Sequence, residues 1–328
     1  MPLVHQIKSN AIVQLGIIAF ISCVAYLVLQ WSGQNHASAL LGSTIGMMTL
    51  LKLILIGICA GILSGLTGLG GGIIIVPMII FCFGSNALID AVIISFYAVF
   101  FNSISATRSK RNLLIQAGAA ELVDGEWKQT GKEDFKKLIL LAMYYLIGII
   151  FGSLVIAYVF GAHKALVSKN LIAIFQLILA VSMLIPLSLW KKWFGPAAIQ
   201  NRWLDIGFGW FIGCFSTLIG VGGGTFTLLY FNITKQIDLI KCSCISNFIG
   251  IFVGAMSIIG YLGSSKLSDD VNHPLFNWYE IATLVIAGII GAAYGVKIQS
   301  RFDVKTIKRV IAIFLANSAF FIFYRNSF

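Results

Sequence analysis

Two stretches of this sequence carry residues able to act on a ligand: Gly65-Leu66-Thr67-Gly68-Leu69-Gly70-Gly71-Gly72 and Ser216-Thr217-Leu218-Ile219-Gly220-Val221-Gly222-Gly223-Gly224. They are copies in register. Gly61, Ser64, Gly68, Gly70, Gly71 and Gly72 map onto Gly213, Ser216, Gly220, Gly222, Gly223 and Gly224, each pair 152 residues apart. Glycine runs interrupt a helix and let a ligand approach the backbone. A helix that restarts after Gly72 or Gly224 opens with four amide N–H groups lacking partners inside it. Those donors, with the positive end of the helix dipole, suit a small oxyanion. Hydroxyls stand at the same points, on Ser64, Thr67, Ser216, Thr217, Thr225 and Thr227. One glycine-rich turn would serve helix packing equally well; two copies in register point to a binding site for an anion.

The elements that must position these stretches are membrane helices. With 59% hydrophobic and 11% charged residues and a mean hydropathy of +0.94, the chain lacks the polar surface to cover a soluble domain. Apolar runs long enough to cross the roughly 30 Å hydrocarbon layer lie near 11–30, 87–107, 138–160, 166–190, 241–262, 279–298 and 308–324. The glycine-bearing stretches at about 51–83 and 203–232 are additional. Alternating strand patterns are absent, so the expected fold is an all-α polytopic bundle, not a barrel. The net charge of +11 includes no basic run long enough for a nucleic-acid arm. Cys23, Cys59, Cys82, Cys214, Cys242 and Cys244 lie in apolar stretches without metal or disulfide spacing. No metal or cofactor is expected. An enzyme is not expected either, because His5, His36, His163 and His273 all fall outside the spans. The run from Ala11 to Leu29 follows Lys8 and precedes Ala37-Ser38-Ala39, so it reads as a retained helix or a signal peptide, its length favouring the helix.

Loop charges set the orientation. Seven Lys and Arg lie in 107–137, three in 191–203, two in 230–241 and five in 296–309; with Lys8 these make 18 of 23. This set is assigned to the cytoplasm, giving a cytoplasmic N-terminus and an outer C-terminus. The assignment holds only if each glycine stretch enters and leaves on one side. Each is therefore a hairpin, either re-entrant or two short spans, and about 30 residues favour half-helices. The first hairpin then starts outside and the second inside, so the two halves are inverted repeats. Ile172-Ala173-Ile174-Phe175 recurring as Ile311-Ala312-Ile313-Phe314, and Gly148-Ile149-Ile150 as Gly288-Ile289-Ile290, support duplication. The organisation predicted is an N-terminal helix and outer loop over 1–46, repeat one over 47–190 with a cytoplasmic insertion at 112–137, a linker at 191–203, and repeat two over 204–328. The insertion mixes acids and lysines and reads as a solvated loop or surface helix.

Tips entering from opposite faces meet near the midplane, where inverted-repeat transporters bind substrate. Polar residues on the following spans, Ser95, Asn102 and Ser103 in one and Ser243, Ser246 and Asn247 in the other, are candidate lining groups or helix–helix hydrogen bonds. Gln176 and Asn317 are weaker candidates of the same kind. Asp90 is the candidate proton-coupling carboxylate; with Asp205, Lys241 and Glu280 it lies near a span end, where snorkelling or capping also accounts for it. Gly148, Gly152, Gly291 and Gly295 read as close-packing positions.

The stretches GILSGLTGLGGGIIIVPMII and GCFSTLIGVGGGTFTLLYF, with Arg108-Ser109-Lys110-Arg111 after the next span and the glycine-rich, basic region from Gly291 to Arg309, resemble the paired signatures of the sulfite exporter TauE/SafE (TSUP) family. The resemblance runs from about residue 47 to 324. It implies secondary transport of sulfite, an organosulfonate or a related small anion, driven by the proton gradient. An uncoupled channel on the same scaffold, or a carboxylate substrate, stays open. Departures are Leu229 where repeat one has Pro77, and Cys242 and Cys244 among the small residues after the second hairpin. On this reading the substrate meets Thr67, Gly68, Gly70, Gly71, Gly72, Gly220, Gly222, Gly223, Gly224 and Thr225, with Ser95, Asn102, Ser246 and Asn247 setting selectivity.

Overall fold

The computed structural model describes most of residues 42–185 and 202–299, with isolated positions at 189 and between 309 and 320. The predicted span at 11–30, the four histidines and much of 308–324 lie outside the described residues. Helix follows apolar runs and stops at the glycine clusters. The order is α1 (Gly42–Thr67), α2 (Gly72–Phe83), α3 (Leu88–Ala117), α4 (Thr130–Ala162), α5 (Lys169–Leu184), α6 (Arg202–Ile219), α7 (Gly224–Thr234), α8 (Leu239–Ser265) and α9 (Trp278–Gln299).

Among the described residues five helices are long and apolar enough to cross a membrane: Met47–Thr67, Asp90–Asn112, Ala142–Val159, Lys241–Gly263 and Trp278–Gln299. Four match predicted spans. The fifth is the first arm of the first hairpin, where half-helices were favoured; α1 begins at Gly42, ahead of the apolar run counted from Leu51. The arms are unequal as a result. At 1.5 Å per residue the 26 residues of α1 reach about 39 Å and the 12 of α2 about 18 Å. The second hairpin pairs 18 residues in α6 with 11 in α7. Predicted span 166–190 appears as α5, which ends at Leu184 just before Pro186.

Polarity is distributed inside out. Large apolar side chains such as Leu140, Phe151, Trp203, Trp278 and Ile290 are exposed, while Ser64, Asn102, Ser216 and Asn247 are fully buried. That arrangement suits a lipid exterior, which has no hydrogen bonds to offer. In α2 every residue from Gly72 to Pro77 is buried, as are Ile79 and Ile80, so this short arm is enclosed by protein.

Small residues bring the helices together along two equivalent seams. Gly57, Gly61 and Gly65 of α1 lie against Leu284–Val296 of α9, rising in step along both helices. Gly209 and Gly213 of α6, the counterparts of Gly57 and Gly61, lie in the same way against Tyr145–Ser153 of α4. Gly148, Gly152, Gly291 and Gly295 form the opposite sides of these seams, so their close-packing reading holds. Between the seams α3 and α8 run antiparallel, with Phe100 beside Gly254, Ser103 beside Gly250 and Lys110 beside Ser243. A Cβ on Gly61 would stand 2.1 Å from Gly288 O, a clash with backbone. Gly61→Val therefore forces α1 and α9 apart. Overpacking of this kind costs about 1–3 kcal/mol or more, and the variant should lose its monodisperse peak in detergent size-exclusion; an unchanged profile would contradict the seam.

The insertion departs from the expected loop or surface helix. It is formed by the end of α3, a hairpin of β1 (Glu121–Val123) and β2 (Glu126–Lys128), and the start of α4. The strands pair antiparallel with Glu121 opposite Lys128. The sequence between them, Asp124-Gly125, is a favoured two-residue hairpin pair.

Candidate functional site

The breaks are made by glycines in the left-handed region. Gly68, Gly70 and Gly71 have φ of 83°, 74° and 83°, and Gly220, Gly222 and Gly223 have 75°, 77° and 72°. The two tips thus share one backbone pattern. Any side chain there would cost about 1–2 kcal/mol, which is why the sequence repeats glycine at these positions. In the first tip Thr67 Oγ1 donates to Leu63 O at 2.5 Å and Gly68 N–H to Ser64 O at 2.8 Å. Gly71 then caps α2 without any side-chain cap. The N–H groups of Ile74 and Ile75 both reach Gly71 O, at 3.1 and 3.3 Å. Gly72 and Ile73 are left as the open donors of this turn among the described residues. In the second tip both the N–H and the Oγ1 of Thr227 donate to Gly223 O, at 3.1 and 2.9 Å.

The tips touch. A Cβ on Gly72 would lie 1.9 Å from Gly220 O, so nothing larger than glycine fits between them. Val99 of α3 packs against Gly70, Gly72 and Gly222, and Ser95, whose hydroxyl donates to Val92 O at 2.6 Å, stands beside Gly220. Ser246 of α8 joins the tips directly, its hydroxyl lying 2.6 Å from Gly68 O and 2.9 Å from Gly224 O. One proton serves both carbonyls. Ser246→Ala leaves two buried acceptors without it, a loss of about 1–3 kcal/mol, expected as a lower melting midpoint of the purified protein. An unchanged midpoint would show that this hydroxyl does not hold the tips.

Around this contact lie buried polar groups with no hydrogen-bond partner among the described residues: both ends of the Asn102 and Asn247 carboxamides, and the hydroxyls of Ser64, Ser103, Thr107 and Ser216. Asn102 Nδ2 is 3.1 Å from a Cβ placed on Gly71, and its Oδ1 is 2.4 Å from one on Gly288. Ser216 Oγ is 3.1 Å from the Cβ position of Gly223, and Ser103 Oγ 3.7 Å from that of Gly70. Buried polar groups are nearly always paired, so this cluster marks hydrogen-bonding capacity gathered at the tips. Of the predicted residues, Gly68, Gly70–Gly72, Gly220, Gly222–Gly224, Ser95, Asn102 and Ser246 come together here. Thr67 ends α1 at the first tip, and Asn247 is buried next to Ser246 on α8. The side chain of Thr225 lies outside the described residues. Asp90 is half-buried in the first turn of α3, within electrostatic range of Tyr261. Gln176 is buried and Asn317 is exposed.

Sequence reasoning missed two features. Lys110, one of the cytoplasmic charges of 107–137, is 3% exposed and donates to Ser243 Oγ; a Cβ on Gly68 would meet that same serine at 2.7–2.8 Å. Helical spacing held the signal, because Lys110 follows Ser103 by seven residues and so shares its face. Asp205, read as a capping or snorkelling residue, is buried and accepts a hydrogen bond from Tyr230. Tyr230 stacks on Tyr145 at 5.1 Å, and the Tyr145 hydroxyl pairs with Thr227 at 3.1 Å. A series of contacts, hydrogen bonds at either end with a ring stack between them, thereby runs from Asp205 to Gly223. Repeat one has Leu53 and Ile75 where Asp205 and Thr227 stand, so the series has no copy there.

The family model described as sulfite exporter TauE/SafE matches residues 53–322. The chain belongs to that family. A Haemophilus influenzae protein named "Probable membrane transporter protein" is 23% identical to it over 274 residues, covering 81% of this chain and 95% of the relative. No solved structure matches it. The TauE/SafE match takes in both tips, the α3–α8 crossing and Lys110, whereas the predicted span at 11–30 lies outside it. As a member of a membrane transporter family it is a multi-pass membrane protein that moves a small substrate.

Proposed function

We propose that this TauE/SafE protein is a secondary transporter for a small anion, sulfite, an organosulfonate or a related sulfur oxyanion, and not an enzyme. The observation that carries the reading is the contact of two tips with identical backbone signs, bordered by the unpaired Asn102 carboxamide. The open N–H groups at the start of α2 and the amide of Asn102 supply donors for the oxygens of the anion, while glycine keeps side chains out of their way. Thr67, Ser95, Ser246, Asn247 and Thr225 complete the substrate list. The antiparallel crossing of α3 and α8, which occupy equivalent places in repeats 47–190 and 204–328, supports inverted repeats: a two-fold axis in the membrane plane reverses equivalent helices. Rocking of the halves would open the tips to one side and then the other. The N-terminus is cytoplasmic and the C-terminus outside, in a bacterial inner membrane. Proton coupling has two candidate carboxylates, Asp90 and the tip-linked Asp205.

A thermal-shift and binding screen of purified protein against sulfite, sulfate, thiosulfate, sulfoacetate, taurine and simple carboxylates tests the substrate class. Stabilisation by sulfur oxyanions is the expected result. Stabilisation by carboxylates alone would reassign the substrate, and no response to any anion would overturn the anion reading.

A further inference from the structure

Lys110 is the one buried cation among the described side chains. A lysine ammonium has three donors, and here one is taken by Ser243 Oγ. No carboxylate pairs with it among the described residues. A buried charge left in that condition is costly in a membrane protein and marks function. Its surroundings say which function. Lys110 shares a face of α3 with Thr107, Ser103 and Asn102, whose polar atoms are buried and unpaired, and this face ends at Gly70 and Gly71. Arg108 and Arg111 are exposed and lie off it. At the positions 152 residues after Asn102, Ser103, Thr107 and Lys110, α8 carries Gly254, Ala255, Ile259 and Leu262, none of them charged. At these equivalent positions, therefore, α3 has a cation and α8 has none.

We infer that Lys110 is a specificity-determining residue: its ammonium is the counter-charge for the anion on the α3 route between the basic 107–137 side and the glycine tips. This rests on the anion-transport reading above. The anion would accept from the two remaining N–H donors of Lys110 and pass to the Asn102 amide and the α2 turn. A neutral solute would gain nothing from that charge, so charge selection is concentrated on one side of the membrane.

The test uses purified full-length protein with sulfite as probe. Lys110→Met should weaken sulfite binding about tenfold to a hundredfold, the loss expected for one charged hydrogen bond. Lys110→Arg keeps the charge in a different shape and should bind sulfite better than Lys110→Met does. Ser243→Ala separates the roles, since it removes the structural partner and leaves the charge; it should bind sulfite nearly as wild type does. Lys110→Gln replaces the Met variant if that fails to purify. Wild-type affinity in the neutral variant, or an equal loss in Ser243→Ala, would overturn the assignment of Lys110 while leaving anion transport intact. Failure of the wild type itself to bind any anion would instead remove the transport reading.

Discussion

Gly71→Leu and Gly223→Leu are each expected to abolish the proposed anion uptake, a fall of more than about a hundredfold, while the protein should still reach the membrane at wild-type levels. The cause is local. Both positions have positive φ, where a side chain costs about 1–2 kcal/mol, and a Cβ on Gly71 would stand 2.8 Å from Ala60 O. Overpacking adds about 1–3 kcal/mol at the turn that offers its open donors. Insertion is spared because it depends on the apolar spans, which are unchanged. Gly223→Ala serves as the milder case: its Cβ would meet Ser216 Oγ at 3.1 Å and Val253 at 3.4 Å, so backbone strain dominates and uptake should drop about tenfold. Uptake in proteoliposomes, scaled to the amount reconstituted, is the measurement. Normal flux in either leucine variant would remove the tips from the mechanism.

Asn102→Leu should separate transport from stability in opposite directions. Leucine keeps the branched shape of the carboxamide but drops its hydrogen-bonding atoms. Those atoms are buried and unpaired among the described residues, and replacing such a group by an apolar one of the same shape is near neutral or stabilising. The melting midpoint should hold or rise while uptake falls at least about tenfold. A residue that merely packed would lose both together. Unimpaired uptake with a higher midpoint would place Asn102 outside the substrate path.

The glycine tips were legible because each depends on a conformation that few other residues adopt: the copies of Gly68, Gly70 and Gly71 at Gly220, Gly222 and Gly223 carry the same backbone signs. The spans were legible for a similar reason, since an apolar run needs no partner to be recognised. Arm lengths were less so, because α1 continues N-terminally through Gly42–Leu50, where polar and small residues blur the hydropathic edge. Lys110 and Asp205 were misread because a charge near a span end looks the same in sequence whether it snorkels or turns inward. Only the packing of α3 on α8, and the contacts of Tyr230 of α7 with α6 and α4, decide that. The Asp124-Gly125 hairpin was there to be read but lay within a stretch whose mixed charges pointed to solvent.

The claim that the two tips form an alternating-access anion site is tested most directly by counterflow in proteoliposomes. Vesicles loaded with unlabelled sulfite and diluted into a trace of labelled sulfite, with no proton gradient, should accumulate label transiently above equilibrium, because a carrier exchanges one anion for another through a single site. The overshoot should be absent with Gly71→Leu. Equilibration without overshoot would mean a channel, and no entry of label at all would contradict sulfite as the substrate.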